Sequence, residues 1–325
     1  MTRARGTTIA GLASLPLAAF SLLAAVLTPA PLAAQPVDGL QVADSAVQSV
    51  GWKLALANRR YCARTAPETG IMLADLATYD DARATRTAYG LGTSGEIFVG
   101  ALADEAPGAR AGLVVNTMVR SIGNRVMANE MPPPRQDWFA RVQRLQNLID
   151  TTAAREGHVD FGLYGGKTVT VVPEITCHVR FFLDDGKTDA HAVRDEVHIG
   201  HRYVDQLGGD TDLLAALVAH EMAHAVLDHE TELEAAHGRI DVTRRTEREA
   251  DRLSVWLMAN AGYDPENAVR LQQEVIRRRG SFLAFDPTHG SWRSRAETIS
   301  AEIEALHAAP DADWPHRFVR EKRDN

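Results

Sequence analysis

The stretch Leu213–His229, LLAALVAHEMAHAVLDH, decides how the rest of the chain is read. It opens as an apolar run and closes on His220-Glu221-Met222-Ala223-His224 and the residues just beyond. Leu213, Leu214, Leu217 and Val218 recur at helical spacing, as do Val218, Met222 and Val226, and no Gly or Pro interrupts Asp212 to Glu230. That pattern predicts a buried helix, with Asp210 or Thr211 as its N-terminal cap. Residues four apart on a helix share a face, with β-carbons about 5–6 Å apart. His220 and His224 can therefore reach one zinc ion at roughly 2.0–2.1 Å each. Glu221 follows the first of them and lies beside the metal without binding it. That is the place for a general base acting on a metal-activated water. In so apolar a helix, two histidines and a glutamate are costly unless paired.

Two histidines and a water leave a zinc site one protein ligand short. The metzincin arrangement needs Gly at 227 and His at 230, and the chain has Leu227 and Glu230. A downstream carboxylate is the other solution. Glu247-Arg248-Glu249-Ala250-Asp251 lies on a second helical stretch running to Leu257. Glu247 and Asp251 are i and i+4 and share a face, so one can bind metal while the other accepts an N–H from a ligand histidine. Glu249 points elsewhere, toward an ion pair with Arg245 or Arg252 or a capping box with Thr246. Glu230, Glu232 and Glu234 read as a solvated charged face.

The pairing of His220-Glu221-x-x-His224 with Glu247-x-x-Ala250-Asp251 resembles the gluzincin metallopeptidases of the HtpX and CAAX-prenyl protease family, in particular its periplasmic members. Ala259-Asn260-Ala261-Gly262-Tyr263-Asp264-Pro265 is similar to the family's A-G-Y-D-P, and Thr288-His289-Gly290-Ser291-Trp292-Arg293-Ser294-Arg295 to its T-H-P-S-x-x-x-R, with Gly290 in place of proline. Thr188-Asp189-Ala190-His191-Ala192 stands where relatives carry a segment before an edge strand, with Asp189 in place of asparagine. The resemblance spans roughly residues 188–306. It implies that His220, His224 and Glu247 hold one Zn²⁺, that Glu221 is the base, and that Asp251 orients a ligand histidine. It also places His289 and Arg295 near the site. Either could hold a developing oxyanion, and His289 could instead occupy the open metal position until substrate displaces it.

Composition bounds the setting. The chain has 325 residues, 45% hydrophobic and 24% charged, ordinary values for a globular protein with room for two domains. Arg3 and Arg5, the apolar Leu17–Leu27 and the small Ala33-Ala34 read as an export signal over residues 1–34. Pro16, Ser14 and Ser21 weaken it as a continuous span. The expectation is an exported, periplasmic protein with no stable membrane span after signal cleavage; inner-membrane anchoring by an uncleaved signal is the alternative. Losing Arg3 and Arg5 takes the formal charge from −8 to −10. An acidic chain without a basic–aromatic patch argues against nucleic acid as a partner and against docking on anionic lipid. Cys62 and Cys177 are the only cysteines, and an even count after an export signal predicts a disulfide between them.

Before the motif helix the chain changes texture. Residues 35–87 read as an N-terminal helix (Val37 to Arg64), a turn at Thr65–Gly70, a strand at Ile71–Ala77 and a polar helix or loop at Asp80–Tyr89. From residue 88 to 173, Tyr89-Gly90-Leu91-Gly92, Ala106-Pro107-Gly108-Ala109-Arg110-Ala111-Gly112-Leu113 and Met118 to Asn124 resemble a bacterial PDZ domain, with Val115-Asn116 where G-D is usual. A helix over Asp137–Ala154 and a hairpin around Gly165-Gly166 complete it. Such folds add an extended peptide to a sheet edge, which implies a peptide ligand held at Gly90, Leu91 and Gly92. The metallopeptidase domain would occupy residues 174–310, with a strand near Val197 placed to pair with substrate. A polar tail over 311–325 carries Trp314 and Phe318 as docking anchors. The fold class is thus α+β, a mainly helical zinc-metallopeptidase domain preceded by a PDZ-like β domain. The expected function is endopeptidase action on unfolded or misassembled cell-envelope polypeptides. Its rival is a chaperone-like or scaffold protein that binds peptides with little turnover. A purely structural zinc site conflicts with Glu221 and the missing fourth protein ligand.

Overall fold

The computed structural model describes residues 38–130, 138–280, 290–309 and 314–321. The export signal read over residues 1–34 and the segment Met131-Pro132-Pro133-Pro134 lie outside the described residues. In chain order the elements are α1 (Gly39–Asn58), β1 (Thr65–Glu68), β2 (Ile71–Asp75), α2 (Ala82–Ala88), β3 (Ile97–Leu102), α3 (Pro107–Arg110), β4 (Val119–Ile122), β5 (Arg125–Val126), α4 (Met127–Glu130), α5 (Trp138–Glu156), β6 (Val159–Leu163), β7 (Thr168–Val171), β8 (Glu174–Cys177), β9 (Arg180–Asp184), β10 (Ala190–Val193), β11 (Glu196–Gly200), α6 (His201–Gln206), α7 (Thr211–Leu227), α8 (His229–Ala235), α9 (Ile240–Asn260), α10 (Glu266–Leu271), α11 (Arg277–Gly280), α12 (Trp292–His307) and α13 (Trp314–Arg317). A π-helical turn, Gln272–Ile276, joins α10 to α11. Helices and strands are both well represented, so the class is α+β. Among the described residues no helix is long and apolar enough to cross a membrane.

The larger core is built on α7. Its Leu213, Leu214, Leu217, Val218 and Met222 pack with Val47, Val50 and Leu54 of α1, Phe181 of β9, Val197 and Ile199 of β11, and Leu253, Trp256 and Leu257 of α9. Helix α1 is therefore an integral wall of this core. Asp38 caps it by accepting the Gln41 N–H at 2.9 Å, and Asn58 at its far end donates to Leu257 O of α9 at 3.1 Å. Gly51 lets α1 lie against β9: a β-carbon there would meet the Phe181 ring at 2.4 Å.

A second core joins Ile71 and Leu73 of β2, Ile97 and Val99 of β3, Val119 and Ile122 of β4, Phe161 of β6, Val171 of β7, and Leu145 and Ile149 of α5. It includes β2, which lies upstream of residue 88. The sheets are β2-β3 and β5-β4-β6-β7. The hairpin between β6 and β7 turns where Gly165 and Gly166 take φ of 100° and 89°.

Two expectations change here. Thr65–Gly70 is not merely a turn: Thr65–Glu68 forms β1, paired antiparallel with β8, with Pro67 opposite Ile175. Proline is tolerated because this ladder has only two strands and hence two edges. The Cys62–Cys177 disulfide closes its end, with Cα atoms 5.5 Å apart. Such a bond belongs to a non-reducing environment. In the remaining sheet the order is β10-β11-β9. Val197 lies on the central strand, bonded on both sides, so the edges of this sheet are β10 and β9.

Candidate metal centre

Helix α7 starts where Asp210 accepts the N–H groups of Asp212 and Leu213, both at 3.1 Å. It ends at Leu227 because Asp228 adopts a left-handed conformation, φ 54° and ψ 45°, which Asp tolerates better than most residues. The run without Gly or Pro through Glu230 is therefore two helices.

The described residues bring His220, His224 and Glu247 together as one of two groups able to hold a metal ion. The Nε2 atoms of His220 and His224 are 3.3 Å apart. Glu247 of α9 places Oε2 3.5 Å from His220 Nε2 and Oε1 3.5 Å from His224 Nε2. Bonds of roughly 2.0–2.1 Å in a tetrahedron put neighbouring donors about 3.3 Å apart, so this donor set fits zinc. Burial pushes the His224 imidazole down to about 3. His220 is raised to about 10: burial and Arg295 oppose its charge, but hydrogen bonds to Asp251 and Glu247 outweigh them. Burial likewise opposes ionisation of Glu247, yet the His220 hydrogen bond and nearby positive charge hold its carboxyl well below the usual range.

Glu221 is buried on α7 and lines the same groove as the three donors. That groove, about 1020 Å³, runs from Asp189–Ala192 at β10 past His220, His224 and Glu247 to Leu271, Gln272 and Ile276, and to Trp292 at the start of α12. The π-helical turn thus contributes Gln272 and Ile276 to its wall.

Each histidine is held from behind. Asp251 Oδ1 lies 3.1 Å from His220 Nδ1. Arg295 of α12 grips Asp251 with both arms of its guanidinium, Nε to Oδ2 at 2.8 Å and Nη2 to Oδ1 at 2.6 Å. Burial raises the Asp251 pKa, but the Arg295 charge and the hydrogen bonds from His220 and Arg295 together outweigh it and hold it low. Arg295 also lines the groove, with Nη1 3.8 Å from Glu247 Oε2.

The second histidine has a support that the sequence pattern did not show. His229 Nδ1 is 3.0 Å from His224 Nδ1, and His229 Nε2 is 3.1 Å from Glu249 Oε2. Were His224 Nε2 to bind a cation, its Nδ1 would carry the hydrogen and donate to His229 Nδ1. His229 would then carry its hydrogen on Nε2 and donate it to Glu249. On an unbroken helix His229 would sit five residues past His224, roughly 140° around the axis. The left-handed Asp228 turns it back beneath the site.

Glu249 is accordingly not a partner of Arg245 or Arg252. Arg245 pairs with Glu232 and Arg252 with Glu302, while Glu249 is fully buried and held down to about 2, where burial is outweighed by hydrogen bonds from His229 and Arg320. Glu232 is not part of a solvated face, since its side chain is 9% exposed and pairs with both Arg245 and Arg320.

Of the remaining expected residues, His289 lies outside the described residues. Gly290 beside it has φ 73°, a conformation closed to proline. The loop Gly90-Leu91-Gly92 belongs to neither the groove nor the metal centre. Gly90 N–H donates to Thr87 O at 3.2 Å and Leu91 N–H to Arg86 O at 2.9 Å, finishing α2. Leu91 is buried with Tyr89, Phe98 and Met118. No family model, curated protein or solved structure matches this chain.

Proposed function

We propose that the chain is a zinc-dependent metalloendopeptidase of the HtpX-like gluzincin type, acting on unfolded or misassembled polypeptides of the cell envelope. The observation that carries this reading is the convergence of His220 Nε2, His224 Nε2 and the Glu247 carboxylate, with Glu221 beside them on one groove. His220, His224 and Glu247 would hold the ion. Zinc so held supplies Lewis acidity, which lowers the pKa of water and polarises a carbonyl.

The chain's own residues do the rest. Glu221 accepts a proton from the attacking water and passes it to the leaving amine as the C–N bond breaks. Asp251 and His229 fix the rings and tautomers of the two ligand histidines. Strand β10 borders the groove and is an edge of its sheet. An extended polypeptide can add to such an edge through its backbone, so the preference is for segments with no structure of their own. The disulfide and the apolar, Arg-led start of the sequence support an exported location.

The rival reading, a peptide-binding scaffold built on the PDZ-like unit, has less support. The groups that peptide addition would use on β2 are bonded to α5: Leu73 N–H donates to Gln146 Oε1 at 3.2 Å, and Gln146 donates to Ile71 O at 3.0 Å. The Gly90 and Leu91 N–H groups are spent on α2.

The test is to purify the full chain, measure its zinc content, and follow cleavage of an intrinsically unfolded protein against a folded one. One zinc per chain is expected, with cleavage of the unfolded protein that stops on chelation and returns with added zinc. A chain without zinc, or cleavage indifferent to chelation, contradicts the proposal.

A further inference from the structure

Residues 314–321 reach the rear of the metal centre from the far end of the chain. Trp314 and Phe318 sit in the main core, and Trp314 packs edge-on against Tyr61, its ring centroid 5.9 Å away. Arg252 Nη1 donates to Val319 O at 3.1 Å, and Arg248 grips the Glu321 carboxylate at 2.9 and 2.5 Å. The segment so anchored delivers two donors to one carboxylate. Arg320 Nε donates to Glu249 Oε2 at 2.9 Å, and the Glu321 backbone N–H donates to Glu249 Oε1 at 2.8 Å. Both oxygens of Glu249 are then fixed, and Oε2 is turned to His229. The same guanidinium donates from Nη1 to Leu227 O, the last residue of the helix that carries both histidines, at 3.2 Å. Its Nη2 also reaches Glu232 Oε1 at 2.5 Å.

A segment that merely covered apolar surface would have no need of these bonds. Arg320 ties the end of α7 to the one carboxylate behind His224, and it does so with the flat, forked group suited to holding several acceptors at fixed angles. We infer that the segment Trp314–Glu321 is a built-in part of the metal centre, in which Arg320 is a positioning residue acting through Glu249 and His229 on His224. The inference rests on the metal-centre reading above. It makes metal affinity depend on a side chain four links from the ion: Arg320, Glu249, His229, His224.

The experiment measures the zinc dissociation constant of the full-length protein by competition with a chromophoric chelator. Wild type is compared with Arg320→Ala, Glu249→Gln, the double variant, and Arg317→Ala, whose residue is exposed at the end of α13, as control. Outer partners of metal ligands are typically worth about 10–100-fold in affinity; about 10-fold is expected for Arg320→Ala, the outermost link. The double variant should bind no more weakly than Glu249→Gln alone, because the two residues act in series. The visible absorption of the cobalt-substituted protein, which reports ligand geometry rather than global stability, should change in Arg320→Ala and not in Arg317→Ala. If Arg320→Ala does not fold, Arg320→Gln, which keeps length and a donor without charge, carries the same comparison. Wild-type affinity in the Arg320 variant, or losses that multiply in the double variant, overturns this inference alone. A wild-type chain that takes up no zinc overturns the metalloprotease reading as well.

Discussion

Replacing His229 by alanine removes the link between His224 and Glu249. His229 is 1% exposed and makes contacts of 3.0 Å to His224 and 3.1 Å to Glu249. Glu249 keeps Arg320 and the Glu321 N–H, so the fold loses roughly 1–3 kcal/mol rather than the larger cost of stranding a buried charge. His224 keeps no acceptor for its Nδ1–H and no restraint on its ring. Loss of such an outer partner lowers metal affinity about 10–100-fold, which is about 1.4–2.8 kcal/mol at roughly 1.4 kcal/mol per decade. The assay is zinc competition with a chelator, at a temperature where circular dichroism shows the variant folded. His229→Asn separates the two links: its side-chain oxygen can stand where Nδ1 stood and accept from His224, yet cannot reach Glu249, so it should lose less than alanine. Wild-type zinc affinity in the folded alanine variant refutes the reasoning, because the relay would then carry no load.

The remaining predictions concern the frame around the site. Gly51→Ala gains about 1 kcal/mol of helix propensity but drives a methyl into the Phe181 ring, 2.4 Å away, at about 1–3 kcal/mol. Net destabilisation by denaturant titration is expected, and a more stable variant would show that α1 and β9 do not meet this closely. Converting Cys62 and Cys177 to serine opens a link across 115 residues of sequence, and a loss of about 2–5 kcal/mol in unfolding free energy is expected; a change under about 1 kcal/mol would contradict it. His198 is raised to about 9: burial opposes its charge, but hydrogen bonds to Asp184 and Glu196 outweigh it. A folded pKa above the ordinary value of about 6.5 gives stability that is full below that value and is lost as pH rises through about 9. The stability gap between wild type and His198→Gln should therefore shrink between about pH 6 and pH 10, and a gap that widens would reverse the sign.

What could be read from sequence was local or periodic. The apolar run with His at i and i+4 foretold α7, and the glycine pair at 165–166 foretold the β6–β7 hairpin. Two cysteines in an export context foretold the disulfide. The rest depended on what distant segments cover. Whether Glu249 and Glu232 face water is decided by Arg320, which arrives from the other end of the chain. Nothing in the sequence signals that His229 joins the site, because a stretch without Gly or Pro shows no visible break and one left-handed Asp228 redirects it. Ala66-Pro67 read as a turn since its pairing partner, Ile175–Thr176, lies more than a hundred residues away. A strand near Val197 is legible from alternation, but alternation does not reveal which neighbours flank it, so its place at the centre of the sheet is not.

The central claim is that Glu221 is a base beside a metal held by His220, His224 and Glu247. The most direct measurement is zinc content together with the rate of cleavage of an unfolded protein, wild type against Glu221→Gln. The amide keeps the size of the side chain and cannot take a proton. One zinc per chain is expected in both proteins, with cleavage reduced by about 10²–10⁴-fold in the variant. Undiminished cleavage by a variant that retains its zinc would contradict it.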